Sequence, residues 1–131
     1  MLGAGCTPGF WKNCTGQWPI STSTKLSSVY QLSSCVNSCG LGNISLLQAL
    51  ALKGGSDVCG SIQILLRAAA SAYLNTLKVA YPITTADLVS QVNAALASCD
   101  RNTILTLATT LDADNNLGCK DATGTDLPCR K

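Results

Sequence analysis

Apolar side chains recur at Ile62, Leu65, Leu66, Ala69, Tyr73 and Leu77, the three-and-four spacing that lines one face of an α-helix. The pattern predicts a long helix from about 57 to 78, and Pro82 opposes its extension. Thr84 or Thr85 is placed to cap a second helix, with Asp87 in its first turn and Leu88, Val92, Ala95, Leu96 and Cys99 on its inner face. Asp100 is a cap for a third, whose stripe is Ile104, Leu107, Ala108 and Leu111. Asn115, Asn116 and Gly118 end it.

Upstream the signal is weaker. Leu26, Val29 and Tyr30 predict a short first helix, and Cys35 to Gly42 reads as a Gly- and Ser-rich turn. Ser45-Leu46-Leu47-Gln48 matches a capping box, in which the Gln side chain reaches back to the cap amide. The helix it opens should run through Leu50 and Leu52 and stop at Gly54-Gly55. Residues 1–22, punctuated by Gly and Pro, read as an irregular N-terminal arm with a turn at Thr7-Pro8-Gly9. Residues 119–131 read as a polar C-terminal tail tied down by Cys129.

No alternating stretch suggests a strand, and no segment repeats. The expected fold is therefore all-α: a single domain over 1–131, a compact bundle of about five helices stapled by disulfides. Each apolar stripe must face another, since alone it would meet water. A chain of 131 residues is long enough to bury a substantial core.

The cysteines add covalent constraint to this picture. There are eight, at Cys6, Cys14, Cys35, Cys39, Cys59, Cys99, Cys119 and Cys129. An even number spread over a short chain reads as a disulfide framework made in an oxidising compartment. Zinc knuckles need paired CxxC, and the nearest approach is the wider Cys35-x3-Cys39. The spacing alone does not choose among the pairings.

Composition narrows the function. The chain has no His, and its seven acidic residues are all Asp. Ser-His and Cys-His nucleophile activation and imidazole metal sites are excluded. Charged residues make up only 12% of the chain, about half the usual share. The net charge of +2 is scattered rather than gathered into a stripe, so no nucleic-acid partner is expected. The longest apolar run contains Gln63, Arg67, Ser71 and Asn75, which argues against a transmembrane segment. Met1-Leu2-Gly3-Ala4-Gly5 is too short and lacks the basic start of a signal peptide, so a secreted protein would be expected here in its mature form or with an added Met.

Cys6-Thr7-Pro8-Gly9-Phe10-Trp11-Lys12, followed by Trp18, resembles the opening of a family of secreted, largely uncharacterised all-helical proteins that begin with C-T-P-G-[FY]-W-K. Leu65-Leu66-Arg67-Ala68-Ala69, Tyr81-Pro82-Ile83-Thr84, Val92-Asn93-Ala94-Ala95-Leu96 and the stretch from Leu111 to Cys119 are similar to that family's body. The resemblance spans about residues 5–119. It implies a helical fold and a secreted setting, and it carries no established activity or catalytic residue.

Several constellations are candidates for chemistry. Phe10, Trp11 and Trp18 are candidate ligand contacts, either as a platform for sugar rings or as a plug on the core. Asn13-Cys14-Thr15 and Asn43-Ile44-Ser45 are N-glycosylation sequons, making Asn13 and Asn43 candidate acceptors. Asp112-x-Asp114-x-Asn116 looks like the start of a calcium loop, yet Leu117 and Thr123 stand where an EF-hand needs Gly and Glu. The sequence reads there as a polar helix end, with Asp121 and Asp126 as further oxygen donors. Arg67 is expected to reach the surface or to pair with an Asp. No catalytic residue, cofactor or metal is expected.

These readings favour an extracellular, non-enzymatic structural or interaction module. Low surface charge weakens the repulsion that keeps proteins apart, so partners include further copies of the chain as well as extracellular polysaccharide. The alternatives are a secreted carrier of a lipid or sterol, using a pocket between helices, and a carbohydrate-binding module built on the N-terminal aromatics.

Overall fold

Five of the six helices begin where a short polar side chain takes up free amides. The computed structural model describes residues 3–131; Met1 and Leu2, the start of the expected arm, lie outside the described residues. The helices are α1 (Pro8–Asn13), α2 (Ser34–Ser38), α3 (Leu46–Ala49), α4 (Val58–Lys78), α5 (Thr85–Ser98) and α6 (Arg101–Asn115), with 3-10 turns at Thr15–Gln17 and Leu26–Ser28. Thr7 accepts from Phe10 N, Asp57 from Gly60 N, Thr84 from Asp87 N and Asp100 from Thr103 N. Ser45 and Gln48 make the reciprocal capping box. The described residues hold no strand, only isolated antiparallel bridges such as Gly5 with Gly118. The all-α class stands, with six helices, three of them long.

Helix α4 is the axis of the molecule. Ile62, Leu65, Leu66 and Ala69 are buried as expected, but so are Ala68, Ala70, Ser71, Ala72, Leu74 and Asn75 on its other faces. A helix buried all round must be surrounded, and α4 packs against α6 above all, then α5, α3 and α1. The short side chains between 68 and 72 let those neighbours approach closely. The expected stripe fails at its end: Tyr73 is half-buried and Leu77 is 40% exposed, beyond its neighbours' reach.

Other expectations are corrected too. The arm is not wholly irregular, because Thr7 and Pro8 start α1. The turn expected over 35–42 contains α2, and the short helix expected at 26–30 is a 3-10 turn. Helix α3 stops at Ala49, short of Leu52. Leu107 is half-buried, and Cys99, expected inside, is exposed at the end of α5.

All eight cysteines pair: Cys6–Cys119, Cys14–Cys129, Cys35–Cys99 and Cys39–Cys59. The first two join the beginning of the chain to its end. The tail is consequently ordered. Gly16 N donates to Arg130 O at 2.7 Å, and Gln17 Nε2 to Pro128 O at 2.6 Å. Residues 119–127 fold back on themselves, Leu127 N donating to Cys119 O at 2.9 Å. The other two bridges fasten α2 to the end of α5 and the start of α4.

Candidate functional site

The opening motif is built into the core by a polar network. Thr7 caps α1, Pro8 supplies a first residue that needs no amide partner, and one turn later Trp11 is carried inward, fully buried. Trp11 Nε1 donates to Asn75 Oδ1 at 3.1 Å, and the same oxygen takes Cys6 N at 2.9 Å. Asn75 Nδ2 donates to Cys6 O at 2.9 Å and to Asn115 Oδ1 at 3.0 Å. Ser71 Oγ donates to Cys6 O at 2.7 Å, Tyr81 Oη to Asn115 Oδ1 at 2.7 Å, and Asn115 Nδ2 to Ala68 O at 3.1 Å.

Every side-chain oxygen and nitrogen of the two asparagines thus has a partner in an interior where an unpaired amide would be costly. They bind the motif to α4 and α6 beside the Cys6–Cys119 bridge. Gly5 is needed there for space, since a Cβ would strike the Asp114 carbonyl. Asn75, Asn115, Ser71 and Tyr81 were not singled out from the sequence as a group. The available signal was an Asn deep inside an apolar helix.

Phe10, Trp11 and Trp18 do come together. The rings of Phe10 and Trp11 meet edge to face with centroids 5.1 Å apart, and Trp18 Nε1 donates to Trp11 O at 2.8 Å. Trp11, being buried, presents no face to a sugar. Phe10 and Trp18 are half-buried and pack on the core.

Asn13 and Asn43 are both exposed. Asn13 ends α1 and precedes Cys14, which is buried in its bridge to Cys129. Asn43 lies just before the cap of α3, and the Ser45 hydroxyl of its sequon accepts from Gln48 N.

The acidic residues of the calcium-like segment are dispersed. Asp112 and Asp114 ride on the last turns of α6, and Asn116 Nδ2 donates back to Asp112 O at 2.7 Å. Asp121 Oδ1 accepts from Thr123 N, Thr123 Oγ1 and Thr125 N, which hold its carboxyl below the usual range. Asp126 pairs with Lys120. No group of three or more His, Cys, Asp or Glu is placed to hold a metal ion among the described residues.

Burial raises the carboxyls of Asp112 and Asp114 above their usual range, opposed at Asp112 by the Arg67 charge. Arg67 itself donates from Nη1 to Leu52 O at 3.1 Å. Burial likewise pushes the Tyr30 and Tyr81 phenols well up. The Tyr30 hydroxyl donates to Ala69 O at 2.7 Å.

The surface formed by the described residues carries grooves, of which two are notable. One, of about 380 Å³, lies between α5 and α6 and is lined by Gln91, Ala94, Ala95, Thr103, Leu107 and Thr110. The other, of about 410 Å³, runs between Gly3, Ala80, Leu117 and the turn at Asp121–Gly124. No helix among the described residues is long and apolar enough to cross a membrane. Comparison with protein-family models, with curated proteins and with solved structures finds no match to this chain.

Proposed function

We propose that this chain is a secreted, non-enzymatic structural or interaction module of the extracellular space, associating with further copies of itself or with extracellular polysaccharide. The supporting observation is the destination of its interior polar groups. Asn75, Asn115, Ser71, Trp11, Tyr30 and Tyr81 direct theirs at backbone or at one another. Groups committed in this way hold a shape rather than meet a substrate. Four disulfides suit an oxidising compartment, and the chain ends are clasped against unravelling. The sparse charge leaves association with little electrostatic opposition. Exposed Asn13 and Asn43 would carry glycans wherever the source modifies such sequons.

The test is the state of the protein in its native extracellular material. Size-exclusion chromatography, electron microscopy and co-sedimentation with insoluble polysaccharide should find it assembled or bound. A strict monomer that binds neither another protein nor polysaccharide overturns the reading. A second reading, carriage of a small apolar ligand, calls for an apolar cavity, whereas the groove containing Ala94, Ala95 and Leu107 lies open at the surface beside Gln91, Thr103 and Thr110. Lipid co-purifying with the native protein, detected by mass spectrometry, would support it.

A further inference from the structure

The four bridges differ in what surrounds their sulfurs. Cys6 and Cys14 are buried, so the bridges between the chain ends each keep one sulfur out of solvent. Cys39 and Cys59 are both half-buried. Cys99 is exposed, and its partner Cys35 is half-buried. Cys129 is also exposed, but hydrogen bonds to Pro128 and Arg130 hold its segment independently of the bridge.

Two further features belong to Cys35–Cys99. Cys99 is the one non-glycine among the described residues with a left-handed backbone, φ 50° and ψ 25°, where its Cβ crowds the following carbonyl. Ser33 occupies the cap position of α2 without capping it. Its hydroxyl instead donates to Leu96 O at 2.8 Å and lies 3.0 Å from Cys35 Sγ and 3.9 Å from Cys99 Sγ.

We propose that Cys35–Cys99 is a thiol-exchange site, at which a small extracellular thiol attacks Cys99 Sγ and Cys35 leaves as a thiolate beside the Ser33 hydroxyl. The attacking thiolate forms a bond to Cys99 Sγ as the Sγ–Sγ bond breaks, and the electron pair departs on Cys35. The Ser33 proton can turn from Leu96 O onto that sulfur, and a charge so solvated leaves more readily. A second thiol then releases Cys99, yielding one oxidised small-molecule disulfide and two protein thiols. Opening also frees the Cys99 backbone to relax. Cys39–Cys59 still holds the far end of α2 to α4, so the change is local.

The oxidised full-length chain is treated with graded reduced glutathione, quenched by alkylation and mapped by peptide mass spectrometry. The expected result is a glutathione adduct on Cys99 and alkylated Cys35 while the other three bridges stay closed. Adducts on Cys35, or another bridge opening first or simultaneously, overturn the proposal. Ser33→Ala should slow exchange several-fold at a given thiol concentration. An unchanged or faster rate removes the leaving-group role and overturns it equally.

Discussion

The side-chain amides of Asn75 and Asn115, on α4 and α6, meet at 3.0 Å, Asn75 Nδ2 donating to Asn115 Oδ1. Through this contact the N-terminal motif, the central helix and the last helix share one set of hydrogen bonds. Asn75→Ala leaves Cys6 N and Trp11 Nε1 buried without their acceptor. We expect a loss of about 4 kcal/mol of unfolding free energy. Asn115→Ala deprives Tyr81 of its partner and should cost about 2 kcal/mol. The double variant should lose less than the sum by about 1 kcal/mol, because the two share a bond. Denaturant titration of the three proteins measures the coupling, and strict additivity would contradict a shared network.

The long helices were legible because caps and periodicity agree in them. Asp57, Thr84 and Asp100 mark three starts, and Ile104, Ala108 and Leu111 keep one face. The short helices held by bridges, α1 and α2, were not. Helix α2 has only Val36 fully buried and is held by Cys35 and Cys39, whose partners lie far along the chain. Helix α1 is six residues and depends on burying Trp11 against α4, a contact no local pattern encodes. Phe10, Trp11 and Trp18 stand close together in sequence, but only tertiary packing could decide that Trp11 turns inward. Asn75 was visible as a polar interruption, with its partners hidden by their distance in sequence.

Asp112 and Asp121 should impose opposite pH dependences. Burial raises the folded-state carboxyl of Asp112, so its contribution is present below the unfolded range and lost as pH rises through the folded value. Asp112→Asn removes that loss. The variant's melting temperature relative to the parent should improve between strong acid, below about pH 4, and neutrality. Hydrogen bonds from Thr123 and Thr125 lower Asp121, so its contribution is present above the unfolded range and vanishes as pH falls through the folded value. Asp121→Asn should be less stable than the parent at neutral pH and converge with it in acid. Parallel melting curves across that range would show that neither carboxyl is held as described.

Gly60 and Gly124 should respond differently to the same substitution. Gly60 sits in the first turn of α4, where a Cβ would strike the backbone of Gly55. Gly60→Ala must push the Gly54–Gly55 segment away, at a cost of about 2–3 kcal/mol. Gly124 has φ +81° with nothing within 4 Å of an added Cβ, so Gly124→Ala carries only backbone strain, about 1 kcal/mol. Chemical denaturation of both variants checks the order. A Gly60→Ala protein as stable as the Gly124→Ala protein would mean that the approach of the two backbones is not tight.

The bridges Cys6–Cys119 and Cys14–Cys129 span 113 and 115 residues, but their contributions depend on each other. With one closed, the other links segments already near, and the effective loop is about 20 residues rather than the full span. Opening Cys14–Cys129 alone, by Cys14→Ala with Cys129→Ala, should therefore cost about 3 kcal/mol in the chain-entropy account. Removing both pairs exposes the larger closure, shortened to about 50 residues by Cys35–Cys99, for a total of about 7 kcal/mol. The excess over twice the single loss reports how far each bridge pre-organises the other. Equal and additive losses, measured by denaturant titration under non-reducing conditions, would mean that neither bridge shortens the other's loop in the unfolded chain.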